Sequence, residues 1–76
     1  MFELKDIVCF RENHKWVGSL GFINEIKPIK KEDGTDTLRL MIAIPVPMEG
    51  IAYIFALPEE VENMGCKYPY DIKEEE

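Results

Sequence analysis

Residues able to act as nucleophile, base or metal ligand are few and scattered in this chain. His14 is its one histidine, and Cys9 and Cys66 are its two cysteines. A Cys–His nucleophilic pair needs the thiol and imidazole within hydrogen-bond reach and an acid to orient the ring. Nothing in the spacing of Cys9 and His14 brings them together, and the polar neighbours Asn13 and Lys15 read His14 as a solvated loop residue. Two thiols and one imidazole fall short of a four-ligand structural site, so no metal is expected. Gly18 and Gly21 lack the lysine and hydroxyl residue of a phosphate loop, and no long helix follows them. The carboxylate neighbours Glu32-Asp33 and Glu59-Glu60 lie in turns, where adjacent side chains seldom converge, and read as solvated surface. No catalytic residue, no cofactor and no enzymatic activity are therefore expected.

The side chains left with chemistry to offer are suited to contact. Trp16 sits between a polar loop and the glycine pair. Tryptophan is usually substantially buried, so it can plug one end of the fold; it is also enriched at binding surfaces. Tyr53, Tyr68 and Tyr70 carry the same two readings. Pro45, Pro47 and Met48 can complete an apolar patch, with His14 and Arg11 at its rim. The expected partner surface is thus Trp16, Tyr53, Pro45, Pro47, Met48, His14 and Arg11. A different surface gathers Lys27, Lys30, Lys31 and Arg39 around one hairpin, as a local basic strip for nucleic acid.

The charge balance weighs against the second surface. The net charge is −6. Residues 1–58 hold eight acids and seven bases, whereas residues 59–76 hold seven acids against Lys67 and Lys73. A nearly neutral body with an acidic end opposes general affinity for phosphate backbones. The acidic end also raises a third role, an inhibitor that mimics a nucleic-acid backbone, against the commoner reading of a solvating tail.

The elements that must position these residues are short strands. Ile7–Phe10 is a run of β-formers, Arg11–Lys15 a polar loop, and Phe22–Ile26 a second strand. Asp33-Gly34 supplies the positive φ angles of a tight hairpin tip. Leu38–Val46 alternates with period two: Leu38, Leu40, Ile42, Ile44 and Val46 share one side, the core side of a half-buried antiparallel strand. Pro45 and Pro47 place its end at a sheet edge or in a bend, and Pro47-Met48-Glu49-Gly50 is a turn. Ile51–Leu57 is the next strand. Pro58–Val61 reads as one helical or 3₁₀ turn, and a last strand over Val61–Met64 is stopped by Gly65. Such a set predicts an all-β fold, a small five-stranded barrel over residues 1–70 that closes on itself to hide its edges, with a flexible acidic tail at 71–76.

At Gly18-Ser19-Leu20-Gly21-Phe22-Ile23-Asn24-Glu25-Ile26 the chain resembles the glycine-rich motif of KOW-type SH3-like barrels, and Asp6-Ile7-Val8 resembles their first strand. Gly18 and Gly21 permit a tight loop and close backbone approach. Ile23 and Ile26 are three apart, so both face inward only across a bulge. The resemblance implies an SH3-like barrel that binds RNA, ribosomal components or proteins. The acidic chain departs from the nucleic-acid-binding members, and it lacks the acidic loop and paired tryptophans of signalling SH3 domains.

The expected role is a non-catalytic module that binds a protein partner, with a KOW-like RNA- or ribosome-associated factor as the alternative. Met1–Phe10 has no basic start followed by an apolar stretch, and Met41–Met48 is too short to span a bilayer. A cytoplasmic location, no membrane partner and two reduced thiols are expected, with a Cys9–Cys66 bridge as the alternative to the last.

Overall fold

The alternation of apolar residues forces most of this chain into strands. The computed structural model describes residues 2–70, and the acidic tail expected over 71–76 lies outside them. Five strands follow in order: β1 (Asp6–Phe10), β2 (Leu20–Lys30), β3 (Asp36–Val46), β4 (Gly50–Ala56) and β5 (Val61–Lys67). A 3₁₀ turn at Pro58–Glu60 precedes β5, where the proline and paired glutamates place it. All pairings are antiparallel, in one sheet of order β4-β3-β2-β1-β5. Among the described residues no helix is long and apolar enough to cross a membrane.

The sheet is not closed into a barrel. β4 and β5 are its two edges and form no ladder with each other. The β1–β2 loop occupies the gap between them. Arg11 N–H donates to the Glu60 carbonyl at 2.8 Å, Arg11 Nε to the Val61 carbonyl at 3.0 Å, and Asn13 Nδ2 to the Glu59 carbonyl at 3.3 Å. These bonds tie the loop to the 3₁₀ turn and to the start of β5.

The core lies on one side of the curled sheet. Leu40 and Ile42 are fully buried and Ile44 nearly so, as the alternation of β3 predicts. Val8, Phe10, Ile23, Ala56 and Val61 complete the cluster, and Trp16, Ile26, Leu38 and Ile54 pack around it. Ile23 pairs with Ile42 and Ile26 with Leu40, with a register shift between Ile23 and Glu25. That bulge turns both isoleucines inward. Gly21 explains the close approach of β2 to β3: a Cβ there would lie 2.6 Å from Ile42 Cγ2 and 2.8 Å from the Ala43 carbonyl oxygen.

Two strands are longer than their sequence patterns suggest. β2 continues through Pro28 to Lys30. Its ladder with β1 covers only Leu20–Phe22, so Pro28 lacks no donor that a neighbour on that side requires. β5 runs past Gly65 to Lys67. Gly65 sits at φ +83° inside a bulge rather than at a strand end, and its N–H donates to Asn63 Oδ1 at 2.8 Å.

Candidate interaction surface

The side of the sheet away from the core is apolar in its middle, with Glu25, Lys27, Arg39 and Glu62 on the same side around it. In β4, Ala52, Ile54 and Ala56 turn inward, so Ile51, Tyr53 and Phe55 point to solvent. The register carries this pattern across the sheet. Ile7 lies opposite Phe22, Phe22 opposite Ala43, and Ala43 opposite Tyr53, giving one apolar row over four strands. A parallel row brings Cys9, Leu20, Pro45 and Ile51 together, since Cys9 pairs with Leu20 and Pro45 with Ile51.

Between these rows lies a shallow, wholly apolar slot of about 180 Å³, lined by Ile7, Leu20, Gly21, Phe22, Pro45 and Tyr68. Tyr68 forms one wall because its ring stacks on Phe22, with centroids 4.0 Å apart and planes 8° from parallel. Tyr70 meets Tyr68 edge-on at 5.6 Å. Leu20 is 55 % exposed, Tyr53 45 % and Phe55 52 %. Phe22 and Ala43 are themselves buried, so the exposed apolar residues on this side, Leu20, Ile51, Tyr53 and Phe55, stand around a covered middle.

The seven residues expected to form the partner surface fall into two groups. Pro45 and Tyr53 lie on the solvent-facing side, and Pro47 and Met48 form the β3–β4 turn at its end. Met48 is fully exposed and adopts φ +67°, unusual for a residue with a side chain. Trp16, His14 and Arg11 belong to the β1–β2 loop instead. Trp16 is half-buried against the core, as a plug. His14 Nδ1 accepts from Trp16 N–H at 3.1 Å, so Nε2 carries the proton it donates to the Phe55 carbonyl at 3.1 Å. Its ring also packs on Phe10 at 4.6 Å. Arg11 borders a larger open hollow of about 500 Å³ with Glu12, Asn13, Val17, Gly18, Glu62 and Phe10.

Sequence reasoning missed Leu20, Phe22, Ile7 and Phe55. The signal available was the second parity of the strands: Leu20 and Phe22, like Ile51, Tyr53 and Phe55, are large apolar residues at spacing two on the face opposite the core.

The four bases of the expected strip each face a counter-charge or a ring. Lys30 Nζ lies 2.7 Å from Asp36, Lys31 Nζ 3.3 Å from Glu59 and Lys27 Nζ 4.0 Å from Glu25. Arg39 stands over the Phe55 ring at 4.3 Å. The polar pole of the molecule is elsewhere, at the start of β1. Asp6 is buried and accepts from Lys67 Nζ at 2.7 Å, Asn63 Nδ2 at 2.9 Å and Glu3 N–H at 2.9 Å. These bonds, that from Lys67 foremost, hold its carboxyl below the usual aspartate value against the opposing effect of burial. The Asp6 and Glu3 carboxylates raise the Lys67 ammonium correspondingly. Cys9 and Cys66 are both free thiols. Among the described residues no three His, Cys, Asp or Glu side chains gather into a metal-binding group.

Searches of family models, curated proteins and solved structures find no match to this chain.

Proposed function

We propose that this chain is a non-catalytic interaction module of the cytoplasm that docks a protein partner through the solvent-facing side of its sheet. The slot lined by Ile7, Leu20, Phe22, Pro45 and Tyr68 carries the reading. It is apolar throughout and sized for one aliphatic or aromatic side chain of the partner, with Tyr53 and Phe55 as flanking contacts. Aromatic and aliphatic residues of this kind dominate contact energetics where a partner desolvates them. The free thiols agree with a reducing compartment.

An SH3-like architecture fits the same module, as a barrel left open between β4 and β5. In support stand the strand order, the 3₁₀ turn before the last strand, and the division of labour between Gly18 at φ +86° and Gly21 at the β2–β3 contact. The RNA- or ribosome-binding alternative draws less support, because Lys27, Lys30 and Lys31 each have an acid beside them, which lowers the local positive potential.

Affinity capture from the source organism with wild-type protein and a Leu20→Glu variant tests the proposal. A charge placed at the slot should abolish capture of any specific partner while leaving the fold intact, since Leu20 is exposed. Equal capture by both proteins would exclude the slot as the docking site.

A further inference from the structure

We infer that the partner segment held by the slot carries a lysine or arginine beside its apolar anchor, and that Glu62 and Glu12 receive that cation. The inference rests on the docking role of the slot and names the chemistry of what docks there.

The docking surface does not end at Leu20. The ladder sets Leu20, Cys9 and Glu62 side by side on β2, β1 and β5. Residues directly opposite each other on antiparallel strands share one side of the sheet, so Glu62 stands on the slot side, two strands from Leu20. Glu62 also lines the open hollow of about 500 Å³, together with Glu12, Arg11 and the apolar Phe10 and Val17. The Leu20–Cys9–Glu62 row therefore links an apolar slot to a hollow with acidic walls.

Charge decides what the hollow takes. Glu3, Asp6, Glu25, Asp36 and Glu59 each have a lysine ammonium within 4.0 Å. Among the described residues, the side chains of Glu12 and Glu62 pair with no base and accept no hydrogen bond. The one base on the lining is Arg11, whose Nε is committed to the Val61 carbonyl at 3.0 Å. Two exposed carboxylates against one tethered guanidinium leave the hollow negative. It repels a phosphate or carboxylate and attracts an ammonium or guanidinium. Lys27 and Arg39 stand at the opposite end of the same side, so a cation is drawn to the Glu62 end alone and the docked segment takes one orientation.

Shape agrees with charge. Val17 is half exposed on the hollow. Lysine and arginine lay their methylene stems on such apolar surface while the charged head stays at the polar edge. Two interstrand steps separate Leu20 from Glu62, about 10 Å, which an extended segment covers in about three residues. The ligand is thus an extended peptide with a large apolar residue and a lysine or arginine about three positions from it.

Selection from a random peptide library on the full chain, at low salt where such attraction is least screened, tests the inference. Enriched peptides should share a large apolar residue with a lysine or arginine about three positions away. Leu20→Glu should enrich none of them. The double variant Glu12→Gln, Glu62→Gln alters two exposed side chains, and should keep the apolar preference while losing the basic one. Fluorescence anisotropy of an enriched peptide should show this variant binding about three- to tenfold more weakly, as expected for two exposed charge pairs. Glu25→Gln, at the far end, should leave affinity unchanged. Enrichment of apolar peptides with no basic preference overturns the inference and leaves the slot as a docking site. Binding that survives Leu20→Glu, or no enrichment at all, overturns the docking role and the inference with it. Self-association of the chain that is abolished by Leu20→Glu would fill the slot with a second copy and overturn the inference as well.

Discussion

The carboxylate of Asp6 and the ammonium of Lys67 meet at 2.7 Å where β1 and β5 pair, tying two positions 61 residues apart in sequence. The aspartate is buried and fully bonded, so its partners cannot be exchanged for water without cost.

That contact predicts a stability plateau bounded on both sides. Asp6 has a lowered pKa in the folded protein, so its contribution is present above the unfolded value near 3.8 and is lost as pH falls through the folded value. Lys67 has a raised pKa, so its contribution is present below the unfolded value near 10.5 and is lost as pH rises through the folded value. Denaturation midpoints measured across pH should fall at both ends. Asp6→Ala should cost about 1–3 kcal/mol at neutral pH, by stranding the donors it satisfied, and should flatten the acid side of the profile.

The core assignment predicts an asymmetry along β3. Ile42 is fully buried in the main cluster and Met41 is half-buried on the other side. Ile42→Ala should cost about 2–5 kcal/mol, a large share of the stability of so small a domain. Met41→Ala should cost much less. Chemical denaturation of the two variants checks this, and equal losses would contradict the inward placement of Ile42.

The glycine pair predicts two different penalties. Gly21→Ala drives a methyl into Ile42, Ile44 and the Ala43 carbonyl, all at 3.0 Å or closer. Overpacking of that kind costs about 1–3 kcal/mol or more. Gly18→Ala meets open space and pays only for its φ of +86°, about 1–2 kcal/mol. Thermal midpoints should order wild type above Gly18→Ala above Gly21→Ala.

The turn at Met48 predicts a gain. Pro47 fixes the start of the turn, and Glu49 N–H bonds the Val46 carbonyl at 3.0 Å, but Met48 holds φ +67° with its side chain in solvent. Met48→Gly should raise stability by about 0.5–1 kcal/mol, the strain relieved less the entropy glycine adds to the unfolded chain. A loss in urea denaturation would mean that the Met48 side chain holds a contact in the folded state.

The most regular segments are legible from sequence because their patterns are local. Leu38–Val46 alternates, Asp33-Gly34 turns, and Ile23 and Ile26 demand a bulge, and all three features are present in the structure. What escaped the sequence depends on partners far along the chain. Closure turns on whether β4 meets β5, and Arg11, Asn13 and His14 fill that gap from a loop whose polar composition reads only as solvated. Gly65 looks like a stop, yet β1 supplies a ladder that carries β5 past it. Pro45 and Tyr53 were visible as surface candidates. Leu20 and Phe22 were not, because each joins the apolar side only through the register of β2 with β1 and β3.

The position of β1 between β2 and β5 has a kinetic consequence. β2, β3 and β4 are joined by short turns and can assemble as a local meander, in the microseconds typical of hairpins. β1 must then capture β5, bringing Phe10 to Val61 across some fifty intervening residues, and the entropy of that closure is lost before its contacts form. The slow step of folding is therefore expected to be the docking of the last strand on the first, which would leave Val8 and Phe10 uncovered on one side until it occurs.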